Sequence, residues 1–277
     1  MKAKLLAVCL LLLVVAAPAC RRNNNQSGSS RGTVSVATRP EDVRPAAGSL
    51  RSLRLTNGTG TVQILPADGD EVAIQVMKQA QGLDAAANEA CLDKIRIAAV
   101  EEDGCLVVGA RLADSPDQDF WEWFSAQSDR ATEVAIHYTV QVPAAVKTFT
   151  VNNRTGGIVV EDVTGSFLIQ GGTINLTIQR VRLTGRSLVI VHTGDIVLDI
   201  DPADASEIMV NNGSGDIDIA FPAAAPVDLR ASIAAGTITG DVKTPVQGSG
   251  AVEQVYGGGG TKLTVSGTTG NIVIRNE

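Results

Sequence analysis

Apolar and polar residues alternate along much of this chain, and the alternation is interrupted at regular intervals by a short polar turn that ends in glycine. VNNGSGDIDIA at 210–220 shows the pattern, which returns in LTNGTGTVQIL at 55–65, VNNRTGGIVVE at 151–161 and SGTTGNIVIRN at 266–276. Aligned on the glycine, the copies fall at Gly60, Gly156, Gly172, Gly194, Gly215, Gly236 and Gly270. Two positions later stand Val62, Ile158, Ile174, Ile196, Ile217, Ile238 and Ile272. Four positions later stand Ile64, Val160, Leu176, Leu198, Ile219 and Ile274, with Gly240 the exception. Ahead of the glycine, pairs such as Leu53/Leu55, Phe149/Val151 and Ile208/Val210 keep the same parity. A period of two places all of these on one face. Each copy therefore predicts strand, glycine turn, strand, with one face buried.

From Gly156 to Gly236 the glycines are 16, 22, 21 and 21 residues apart, and 34 more lead to Gly270. A period near 21 predicts a repeat architecture in which each unit buries its face by stacking on its neighbours. Six such coils, at about 4.8 Å each, would make a rod roughly 30 Å long. A turn stacked in register needs positive φ or close backbone approach, which suits glycine. The fold class expected is all-β, a β-solenoid of two-strand repeats over 146–277 with a less regular β region over 46–145. Periodicity leaves a stack of antiparallel hairpins open as the alternative to a parallel solenoid. The long last step contains TPVQGSGAVEQVYGGGG, expected to loop out without disturbing the stack.

Composition agrees. Aromatics are 3% of the chain and glycines number 28, as suits a core of small β-branched side chains with glycine turns. TEVAIHYTVQVP at 132–143 alternates cleanly and leads into the first C-terminal repeat. The run VAIHYTVQVPAAVKTFTVNNRTGGIVVEDVTGSFLIQGGTINLTI resembles the bacterial β-strand-repeat "putative adhesin" family, a domain of largely unknown function. The resemblance covers roughly 132–277, with an echo at 53–76, and rests on a strand ending in Val-Pro followed by valine-rich strands and Gly-x-Ile/Val. It implies an exported or membrane-anchored β-solenoid and brings no catalytic residues. The insertion at 80–131 departs from the family pattern.

The first nineteen residues predict an export signal. Lys2 and Lys4 precede an apolar run from Leu5 to Ala16, and Ala17-Pro18-Ala19 supplies small residues before Cys20. The run is too short to span a bilayer comfortably. Cys20 after Ala19 resembles a bacterial lipobox, which implies lipidation of Cys20. Ordinary signal peptidase cleavage of the same bond is the alternative. RRNNNQSGSSRG at 21–32 has no apolar residue, and 20–45 is expected to be a flexible tether. By the sorting habit of Gram-negative lipoproteins, a residue other than Asp after the cysteine implies the outer membrane. In an oxidising compartment, Cys91 and Cys105 are expected to form a disulfide, although EEDG at 101–104 looks like a tight hairpin that would not set them opposite each other.

Candidate chemistry is sparse. Net charge is −7, which argues against nucleic acid. His137 and His192 have no metal-site spacing around them. Asp195 and Asp216, 21 residues apart, could stack, and with Asp199, Asp201, Asp204 and Asp218 could line a calcium edge; solvated turn and strand positions are the simpler reading. A polysaccharide-lyase arrangement would draw on Asp195, Asp216 and Asp218 with Arg180 or Arg182, without a consistent groove to hold it. No cofactor, metal or catalysis is expected. Phe120, Trp121, Trp123 and Phe124 crowd four of the nine aromatics into five positions. They predict either a cap over the end of the stack or a contact for a glycan or protein partner. The function expected is a non-catalytic, lipid-anchored envelope protein presenting its surface for adhesion or binding. An envelope sensor acting through one protein partner and a carbohydrate-active enzyme are the alternatives.

Overall fold

A computed structural model describes residues 34–45, 50–127 and 132–277. The first strand, β1 (Ser35–Val43), is followed by β2 (Ser52–Pro66) and β3 (Ala73–Gly82). The insertion then supplies α1 (Ala85–Asp93), β4 (Ile95–Glu102), β5 (Cys105–Leu112), β6 (Ser115–Asp119) and α2 (Phe120–Ala126). The repeats run through β7 (Thr132–Val142), β8 (Thr148–Glu161), β9 (Thr164–Thr193), β10 (Ile196–Ser214) and β11 (Ile217–Phe221). They finish with β12 (Val227–Gly240), β13 (Val246–Tyr256) and β14 (Thr261–Asn276). The class is all-β: a small core of parallel strands with further strands outside it, and among the described residues all fourteen strands join one sheet.

Pairing between repeats is parallel and nearly in register. Leu53, Leu55, Val62 and Ile64 stand beside Phe149, Val151, Ile158 and Val160, which in turn stand beside Phe167, Ile169, Leu176 and Ile178. All twelve are buried, at most 2% exposed. Alternation is the cause: in-register stacking makes each inward column continuous, so every unit covers the apolar face of the next. Phe149 and Phe167 stack with ring centroids 4.8 Å apart.

Several expectations are corrected. The alignment at Gly172 is displaced by two residues, because Asn153 pairs with Gly171 and Gly156 with Ile174. A shift of two preserves inward and outward parity, so hydrophobic pattern could not reveal it. The 241–260 segment does not loop out. Its β13 pairs antiparallel with β12, and β14 enters between β10/β11 and β12. The repeats therefore do not follow one another in simple chain order. The end of the expected tether is ordered as β1, paired antiparallel with β3. Its Pro40 lacks a ladder donor and suits this edge position.

Antiparallel strands close both ends of the parallel ladder. At one end β13 covers β12. At the other, β3 covers β7 and β4 covers β5. A long exposed parallel edge is thereby avoided. Cys91 and Cys105 are free thiols, correcting the expected disulfide. Register explains this: Glu102 pairs with Cys105, whereas Ile95, next after α1, pairs with Leu112 at the far end of the hairpin. From Cys105 to Leu112 is seven residue steps of strand, about 23 Å. Burial raises the Cys91 thiol above its usual range. Among the described residues no helix is long and apolar enough to cross a membrane; the proposed signal and Cys20 lie outside them.

Candidate binding groove

The repeated turn is held by an asparagine and a glycine three residues apart. Asn57 Nδ2 donates to Ile136 O at 3.0 Å, Asn153 Nδ2 to Gly60 O at 3.0 Å and Asn212 Nδ2 to Gly194 O at 2.9 Å. Each accepting carbonyl belongs to the neighbouring unit, at the position over which Gly60, Gly156 or Gly215 lies. A Cβ on any of these three glycines would collide with that same carbonyl, and their φ values are +124° to +126°. Asn-x-Thr/Ser-Gly is thus a device for stacking turns: the glycine permits the approach and the asparagine satisfies the oxygen approached.

The position after the glycine makes a second ladder. Asn175 Oδ1 accepts from the Asp195 N–H at 3.1 Å, Asp195 Oδ1 from the Asp216 N–H at 2.9 Å, and Asp216 Oδ1 from the Asn271 N–H at 2.8 Å. At the β7 end, His137 Nδ1 accepts from the Thr61 N–H at 3.3 Å and lies 2.9 Å from Thr61 Oγ1. The imidazole proton therefore belongs on Nε2, and burial holds His137 below the usual histidine range. Asp195 and Asp216 are backbone caps. Their expected companions are elsewhere: Asp204 pairs with Arg182 at 2.7 Å, Asp218 with Arg275 at 2.6 Å, and Asp199 accepts from the Arg180 N–H at 3.3 Å. Arg180 makes a fork with Asp162, which lowers that carboxyl. Among the described residues no three His, Cys, Asp or Glu side chains gather as metal ligands.

The aromatic cluster is largely internal. Asp119 caps α2 by accepting from Trp121 and Glu122 N–H groups at 2.8 and 3.0 Å. That cap turns the helix so that Phe120, Trp121 and Phe124 are buried, at 0%, 6% and 9% exposure. Phe120 stacks on Phe124 at 5.5 Å. Trp123 is half-buried, with Lys94 Nζ 5.3 Å from its ring. The four residues proposed as a partner contact thus do not form an exposed patch; burial of three of them makes α2 a packed lid.

One of them also borders a groove. The indole of Trp121 lies over Gly58, where a Cβ would strike the ring. From there a channel of about 610 Å³ runs across the strands, lined by 56–58, 152–154 and 170–172, with Ile190 and His192 at its end. A second hollow of about 270 Å³ shares Ile190 and His192 and continues past Asn211–Gly213 to Ser266–Thr268. His192 Nδ1 donates to Gly171 O at 2.9 Å, leaving Nε2 as an acceptor in the neutral ring. No carboxylate lines either part.

No family model matches this chain, and no curated protein matches it. Among solved structures, 88% of the chain is similar to the whole of a "putative cell adhesion protein" from Clostridium sporogenes, at 12% identity and a TM-score of 0.45. A "putative adhesin" from Bacteroides fragilis is matched over 88% of this chain and 97% of its own, at 12% identity and TM-score 0.38. A "putative lipid binding protein" from Parabacteroides distasonis is matched over 84% and 96%, at 11% and 0.33. Likeness of this degree assigns neither family nor ligand.

Proposed function

We propose that this protein is a non-catalytic cell-envelope lipoprotein whose parallel stack, a β-solenoid interrupted by the β14 insertion, presents the groove as a surface for adhesion or binding. The observation that carries the reading is the continuity of the groove. Thr56, Asn152, Gln170, Ile190, Asn211 and Ser266 bring outward positions from successive units into one trough, so that an extended ligand could meet several strands at once. The solenoid reading is supported by the parallel registers between repeats. Anchoring through Cys20, export and outer-membrane residence rest on the N-terminal sequence alone.

The test is attachment. Cells producing the full chain, and cells producing it with Gln170→Trp to fill the trough, are compared for adhesion to other cells and to saccharide-coated surfaces. Gln170 is exposed, so the substitution should leave folding intact. Attachment gained with the wild type and lost with Gln170→Trp is expected; equal attachment by both would remove the groove from the function. Radiolabelled palmitate incorporated by wild type and not by Cys20→Ser tests the anchor.

A further inference from the structure

We infer that the groove takes an acidic oligosaccharide, with the Arg154 guanidinium receiving a sugar carboxylate. The inference rests on the binding reading above and names its ligand class. Two positions before the stacked glycine, register brings Gly58 beside Arg154 and Arg154 beside Gly172; further along, His192 lies beside Gly213 and Gly213 beside Thr268. Side chains and glycines thus alternate along the trough. At Gly172 a Cβ would collide with Arg154 O, and at Gly213 with His192 O. The resulting gaps flank His192, and one separates it from Arg154 by about two strand spacings, roughly 9.6 Å. Gly58 is filled by Trp121, which closes the other end.

Charge singles out the ligand. Arg180, Arg182, Arg186 and Arg275 are each held by a carboxylate, but Arg154 has no ion pair among the described residues and faces a groove without Asp or Glu. In a chain of net charge −7, a cationic trough free of carboxylates is a local exception. A guanidinium fork matches a carboxylate bidentately. Around it, the exposed Gln170 offers an amide donor and acceptor to hydroxyls. Trp121 is buried, and its Nε1–H has no acceptor among the described residues. A peptide strand fits less well. The trough crosses the strands over side chains rather than along a free edge, so it has no ladder groups for strand addition.

The test is calorimetric titration of the full-length chain in detergent with tetragalacturonate and with the corresponding neutral tetragalactose. Expected are binding of the acidic sugar, at least tenfold weaker binding of the neutral one, and a loss of at least tenfold on Arg154→Gln with unchanged melting. Arg154→Lys should restore part of the affinity. Equal affinity for both sugars, or an unchanged Arg154→Gln, would overturn the inference. If neither sugar binds while attachment remains sensitive to Gln170→Trp, the ligand class is wrong and the binding reading stands. If attachment is insensitive as well, both fail.

Discussion

Asn153 Nδ2 donates 3.0 Å to the carbonyl of Gly60, a residue 93 positions earlier in the chain and one unit away in the stack. The same nitrogen lies 3.0 Å from Gly157 O, and Asn153 is 1% exposed. One amide thus satisfies a carbonyl on each side of the turn, in a place that water does not reach freely.

Asn153→Ala should therefore cost about 1–3 kcal/mol by stranding buried carbonyls. Asn153→Asp should cost more, since an ionised carboxylate has no proton to donate and faces two oxygens. Urea midpoints of the three proteins measure the order; an aspartate variant as stable as wild type would contradict it.

Glycine substitutions separate backbone conformation from contact. Gly185 has φ +63° and nothing within 4 Å of a built Cβ, whereas Gly156 has φ +124° and a Cβ would collide with Gly60 O. Gly185→Ala should lose about 1–2 kcal/mol, the left-handed cost. Gly156→Ala should lose far more or fail to fold. Similar losses at both positions would refute the stacking role.

His137 predicts acid sensitivity. Its folded pKa is held down by burial, so the neutral ring contributes stability that is fully present above the unfolded value of about 6.5 and is lost as pH falls from there through the lower folded value. His137→Asn keeps an acceptor for the Thr61 N–H and removes the titration. The variant should lose less stability than wild type between pH 7.5 and 5; identical pH profiles from denaturation would exclude the role.

Within α2, position decides cost. Phe120→Ala should cost about 3–5 kcal/mol because that side chain is fully buried. Trp123→Ala should cost less, about 1–2 kcal/mol, because its half-buried ring packs only at the edge of the core, against Phe120 and beneath Lys94. If Trp123→Ala proves the costlier in thermal melts, the lid is misassigned.

Cys91 and Cys105 should both react with iodoacetamide in the unfolded, unreduced protein, the peptide around each gaining one adduct by mass. Absence of labelling would restore the bridge that the hairpin register denies.

Alternation, the glycine spacing and the scarcity of aromatics were sufficient for the all-β class and for the inward columns, because period-two burial is a local property of strands. The Asn-x-Thr/Ser-Gly turn was visible as a motif, but its meaning was not, since the carbonyl that Asn153 satisfies lies in β2. Tertiary structure alone decided the rest. A two-residue offset at Gly172 keeps parity and is invisible to hydrophobic pattern. β14 pairs with β11 on one side and β12 on the other, a placement out of chain order that local pattern does not encode. Arg154, Gln170, His192 and Trp121 carry no shared sequence signal; they meet because strands distant in the chain stack about 4.8 Å apart.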